Sequence, residues 1–201
     1  MVRRRDALDG PAWLRPNHAA RVPRRFAAFD TETVTDPVTG GAVHRWRLGV
    51  VALWDDRRRS IADGPVEVVR ATTPDELWHT VDRWTRAHER LVVVAHNLAF
   101  DLRTACALVC LPALGWRCEW LRIDGTDACA TFRRDRRSVV LVDLHTWVPL
   151  PLAEIGEMVG IPKPPLPRPD DDIEAWWHRC EVDVAITGAA FARVLQATRA
   201  R

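Results

Sequence analysis

Hydrophobic positions first fall into a pattern at Phe26. Side chains alternate with period two along a strand, so Phe26, Ala28 and Asp30 face one side while Ala27, Phe29 and Thr31 face the other. The run from Phe26 to Glu32 is thus an apolar strand ending in two carboxylates, Asp30 and Glu32, on a shared face. Turn signals from Thr35 to Gly41 separate it from a second apolar strand, Arg47 to Trp54, and residues 66–70 supply a third, which makes the opening an antiparallel meander. The basic run Arg57 to Arg59 sits in a polar turn and reads as solvated. A helix then opens with Thr73 as N-cap, Pro74 at the first helical position and Glu76 three residues after the cap. Leu77, Val81 and Trp84 form its buried stripe. The continuous apolar run Leu91 to Ala95 is expected to be a central strand covered on both faces, with residues 98–111 following as a helix. Trp116 to Arg122, Ala128 to Arg133 and Val139 to Asp143 are three further strands, the last two joined by a turn at 134–137. Pro149 to Val159 reads as a short helix, and the five prolines between Ile161 and Pro169 impose an extended connector. Asp170 to Asp172 cap a long final helix to about Thr198, with Ile173, Trp177, Cys180, Val184, Phe191 and Leu195 at helical spacing. Residues 1–24 show no period and are expected to form an extended or poorly ordered basic arm, leaving 25–201 as one domain. The succession implies an α/β fold with a mixed β-sheet, an antiparallel N-terminal meander and flanking helices.

Composition refines this picture modestly. A chain of 201 residues has room for one well-buried domain. The net charge is only +2, yet Lys163 is the sole lysine among 29 basic residues. A near-neutral total accommodates an acidic site ringed by arginine, suited to a polyanion held through metal ions. The five cysteines form no CxxC pair and read as free thiols. No segment approaches the length of a membrane span, so no membrane partner and a cytoplasmic location are expected.

The chemistry collects at acids placed where an apolar core has no use for them. Asp30 and Glu32 close the first strand, and divalent cations take such oxygen ligands. Asp101 follows the central strand at the start of a helix, where open α/β sheets place their ligands. Asp183 lies on the final helix among Val182, Val184 and Ile186 and is read as lacking a basic partner one turn away; an acid so placed needs a cation. His178 is a candidate base, though its five-residue offset from Asp183 is about 140° around a straight helix.

Phe29-Asp30-Thr31-Glu32, His96-Asn97-Leu98-Ala99-Phe100-Asp101, and His178 with four residues before Asp183 together resemble the DEDD superfamily of 3′-to-5′ exonucleases, specifically the DEDDh type with a histidine base. The resemblance implies a ribonuclease H-like fold over about residues 25–197. It implies that Asp30, Glu32, Asp101 and Asp183 hold two Mg²⁺ or Mn²⁺ ions, with His178 as general base. Arg179 occupies the position of the alternative tyrosine base, and the chain contains no tyrosine. The middle of the chain also resembles the exonuclease domain of family B, protein-primed DNA polymerases, through Asn97-Leu98-Ala99-Phe100-Asp101, Val142-Asp143-Leu144, and Lys163-Pro164-Pro165-Leu166. Thr31, Asn97, Phe100 and Lys163 would then contact substrate. The expected partners are 3′ ends of single-stranded DNA or RNA, with DNA slightly favoured, and a polymerase or other replication or repair chain. A ribonuclease of mobile-element or defence origin and a catalytically silent nucleic-acid-binding module are the rival expectations. Leu144-His145 replaces the Ser/Thr-Leu pair of those polymerases, a departure from their single-strand contact.

Overall fold

The computed structural model describes residues 22–124 and 127–199. Most of the expected N-terminal arm, residues 1–21, lies outside them. The strands are β1 (Arg25–Val38), β2 (Gly41–Asp55), β3 (Glu67–Ala71), β4 (Arg90–Ala95), β5 (Arg117–Asp124), β6 (Asp127–Arg134) and β7 (Arg137–Asp143). They form one seven-stranded sheet in the order β3-β2-β1-β4-β7-β6-β5. β1 pairs parallel with β4 and β4 parallel with β7, while the outer pairs are antiparallel. This is the expected mixed sheet, consistent with a ribonuclease H-like architecture, with β4 as the neighbour of β1.

The period-two pattern of β1 decides what each helix layer covers. Ala27 and Phe29 enter a core beneath α1 (Pro74–Trp84), α2 (Leu98–Thr104) and α3 (Ala107–Ala113). Phe26 and Ala28 enter the opposite core, under α4 (Leu152–Val159) and α5 (Ile173–Arg199). The start of α1 is as expected, with the Thr73 hydroxyl accepting from the Glu76 N–H. Because β1, β4 and β7 run parallel, their carboxyl ends converge on one edge, where Asp30, the β4–α2 turn and Asp143 meet.

Four expectations are corrected. The turn of the first hairpin lies at 39–40, with Gly40 at φ +85, and not across 35–41. Beyond Glu32 the two strands leave the sheet as a two-stranded ribbon, where Pro37 is tolerated because no third strand calls for the N–H that proline lacks. The helix expected over 98–111 is two helices, broken where Cys106 takes a left-handed conformation at φ 48. The short helix begins at Leu152, with Pro151 in the capping position. Of the α5 stripe, Ile173 is exposed and the rest is buried.

Candidate metal centre

Strand alternation aims Asp30 and Glu32 at α5 and sends Thr31 through to the other face. On the α5 side they meet Asp183: ligand atoms of Asp30, Glu32 and Asp183 all lie within 4.8 Å of one another. On the other side the Thr31 hydroxyl donates to Asp101 Oδ1 at 2.6 Å, and the Thr104 hydroxyl lies 2.8 Å away. Thr31 is therefore buried and ties the strand to α2. Together with His96, Asn97, Phe100, Leu152, Lys163 and Arg179 the four acids line an open cleft of about 300 Å³.

The β4–α2 turn is positioned by a residue to which the sequence pattern assigns no role. Asp143, at the end of β7, accepts from the N–H groups of Asn97 (3.1 Å), Leu98 (2.8 Å) and His145 (2.9 Å). That clamp holds Asn97 in a left-handed conformation at φ 68, a strained state for a non-glycine residue. The Asn97 side chain makes no capping bond and stands exposed at the cleft. Phe100 is half-buried, lines the cleft and meets the His44 ring of the ribbon edge-on at 5.5 Å. His96 Nε2 donates to the Leu150 carbonyl at 3.0 Å, and burial lowers the pKa of this imidazole.

Asp183 is not the unpartnered acid its neighbours suggested. Lys163 Nζ approaches its Oδ2 at 2.8 Å, carried there by the proline connector, and Arg179 Nε reaches the same oxygen at 3.3 Å. Arg179 stands four residues before Asp183, about 40° around the helix, whereas the His178 offset of about 140° turns that ring away. His178 is exposed and is not among the residues lining the cleft. The apolar flanks of Asp183 concealed the Arg179 pairing, although its i−4 spacing was readable. Trp176 and Trp177 are buried in the α5 core.

The electrostatics are those of crowded, desolvated carboxylates. Burial raises Asp30 well above its ordinary value, and the Asp101, Asp183 and Glu32 carboxylates push in the same direction. Burial lifts Asp101 to about 8 against the Thr31 hydrogen bond, and lifts Glu32 to about 6 against the pull of Arg179. Asp183 is raised by burial, opposed by the Lys163 hydrogen bond. The Cys180 thiol, pushed upward chiefly by burial, stays neutral and donates to Asp30 Oδ2 at 3.5 Å. Asp183 Oδ1 is buried with no hydrogen-bond partner among the described residues. A buried carboxylate oxygen left bare beside two other acids fits a divalent cation, since an unmatched group there is costly.

No protein-family model matches the chain, and no curated protein matches it. Among solved structures it is similar to phi29 DNA polymerase. In the ternary complex with primer-template DNA and incoming nucleotide, the TM-score is 0.59 at 16% identity, over 90% of this chain and 32% of that one. In the complex with single-stranded DNA the TM-score is 0.56 at 16% identity, over 88% of this chain and 32% of that one. The chain thus spans about a third of the polymerase's length, and the likeness is one of fold.

Proposed function

We propose that the protein is a metal-dependent 3′-to-5′ exonuclease acting on single-stranded nucleic acid, with DNA slightly favoured over RNA. The observation that carries this reading is the bare, buried Asp183 Oδ1 gathered with Asp30 and Glu32 at the carboxyl edge of the sheet. Asp30, Glu32, Asp101 and Asp183 would hold two Mg²⁺ or Mn²⁺ ions. When bound, such ions supply positive charge that lowers the pKa of an attacking water and stabilises the departing 3′ oxygen. Thr31 holds the Asp101 carboxylate through its hydroxyl, which would fix the orientation of that ligand. Asn97, exposed at the cleft, and Phe100, half-buried, would hold the terminal nucleotides by hydrogen bonding and stacking. Lys163 fixes Asp183 and sits within reach of a phosphate in the same cleft. His178 could take the proton of the attacking water only after a turn of the first part of α5. His178→Ala would then lower kcat by about 10²-fold or more, and an unchanged kcat removes His178 from the mechanism.

The double replacement of Asp30 and Glu32 by Ala is expected to abolish Mn²⁺-dependent shortening of a 3′-free, 5′-labelled oligonucleotide while circular dichroism stays native. Digestion at the wild-type rate by that variant would rule out the assignment. DNA and RNA oligonucleotides with free and blocked 3′ ends, run side by side, separate exonuclease from ribonuclease and from internal cutting. The silent binding module draws on one specific observation, the double neutralisation of Asp183 by Lys163 and Arg179. It predicts single-strand binding with no product in Mg²⁺ or Mn²⁺.

A further inference from the structure

The position that faces the acids one helical turn before Asp183 holds an arginine, and an arginine cannot be a base because its guanidinium stays protonated. Its environment nevertheless shows a built arrangement. Arg179 is only 9% exposed yet lines the cleft with Asp30, Glu32 and Asp101. Nε is held on Asp183 Oδ2 at 3.3 Å and Nη1 donates to the Pro164 carbonyl at 2.7 Å. Two anchors on different elements fix the plane of the guanidinium, while its Nη2 forms no hydrogen bond among the described residues. Both cations of the cleft converge on Asp183 Oδ2, and Oδ1 is left bare. The carboxylate is thereby divided, with one oxygen for the protein's own cations and one for a metal ion.

We infer that Arg179 is a phosphate-binding catalytic residue, whose free Nη2 donates to a non-bridging oxygen of the phosphodiester held in the cleft. This rests on the exonuclease reading for its reaction but not for its ligand, which is a nucleotide phosphate. A guanidinium pre-set by two anchors loses little freedom on meeting the phosphate and offers it a charge-assisted bond. Arg179 contributes charge and orientation, and it exchanges no proton with the attacking water. Positions 178 and 179 diverge by about 100° around the helix, so the geometry that presents Arg179 turns His178 outward.

The test separates binding from hydrolysis. Calorimetric titration of thymidine 5′-monophosphate in Ca²⁺ is expected to show affinity falling about 10- to 100-fold in Arg179→Ala, the range of one charge-assisted hydrogen bond. Arg179→Lys should recover part of the loss, and Ca²⁺ titrated alone should bind both variants as it binds wild type. Undiminished nucleotide binding by Arg179→Ala, equal loss of Ca²⁺ and nucleotide binding, or a wild type that binds no nucleotide would each overturn the inference. A wild type that binds the nucleotide through Arg179 but shortens no oligonucleotide in Mn²⁺ upholds the phosphate site and refutes the exonuclease reading instead.

Discussion

At the scale of single residues, the centre is organised by which groups satisfy each carboxylate oxygen. Asp101 is 2% exposed and has one strong donor, Thr31, at 2.6 Å. Replacing Thr31 with Val keeps the branched shape that a strand accepts and deletes that donor. The hydrogen bond holds the Asp101 pKa down, so its loss favours the protonated acid, which cannot ligate a cation. A hydrogen bond to a charged group contributes about 1.5 to 3 kcal/mol. Mn²⁺ affinity at neutral pH is therefore expected to fall about 10-fold or more in Thr31→Val, as read by calorimetry. Unchanged affinity would take Asp101 out of the ligand set. Much of this cluster is legible in the sequence, because Asp30, Glu32, Asp101 and Asp183 violate the apolar pattern around them. Arg179 and Asp143 were harder to see for opposite reasons. The Arg179 pairing is masked by Val182, Val184 and Ile186, whose apolar side chains imply an isolated acid. Asp143 acts through backbone N–H groups of the β4–α2 and β7 turns, and side-chain patterning carries no mark of such partners.

At the scale of elements, the position of Asp183 depends on how closely α5 lies on β2. Gly188 makes the approach possible: a Cβ there would stand 2.1 Å from the Trp54 ring, which is itself stacked on Phe26 at 5.0 Å. Gly188→Ala gains up to about 1 kcal/mol of helix propensity and incurs about 1 to 3 kcal/mol of overpacking in a well-filled core. The expected outcome is a lower melting temperature, by about 2 to 4 °C per kcal/mol of net loss in a domain of this size. Because the clash lies between α5 and the sheet, relief by lifting the helix would also weaken Mn²⁺ binding. A raised melting temperature would show that Trp54 yields without cost and that the helix is not so constrained. The helix and strand assignments follow from period and capping, so α1, β4 and α5 agree with the pattern read from the chain. The ribbon extending β1 and β2 to a turn at 39–40 escaped that pattern, since strands outside the sheet bury no face to impose alternation. The break between α2 and α3 escaped it because a non-glycine residue, Cys106, adopts the left-handed state.

For the whole molecule, the buried acidic cluster couples folding to pH. Asp101 is lifted to about 8 and Glu32 to about 6, and Asp30 and Asp183 are raised as well, all chiefly by burial. In the metal-free protein the folded state thus binds more protons than the unfolded chain above the ordinary carboxyl range. Stability then falls as pH rises through that interval, from about 4 to about 8, because the slope follows protons bound unfolded minus protons bound folded. Lys163 tempers the effect at Asp30, Asp183 and Glu32, and Arg179 tempers it at Asp183 and Glu32. On the proposed function, divalent ions would reverse it by binding the ionised acids and releasing their protons, which would stabilise the folded state by mass action. The expected result is a melting temperature that declines from pH 5 to pH 8 in a chelator and a Mn²⁺-induced rise that is larger at pH 8 than at pH 5. The double replacement of Asp30 and Glu32 by Ala should flatten both trends, since two of the acids that repel one another are then absent. A metal-free protein whose stability climbs steadily from pH 5 to pH 8 would mean that the acids are ionised without cost. The crowding of carboxylates would then be relieved by the protein's own cations, and the cluster would have no energetic need of a metal ion.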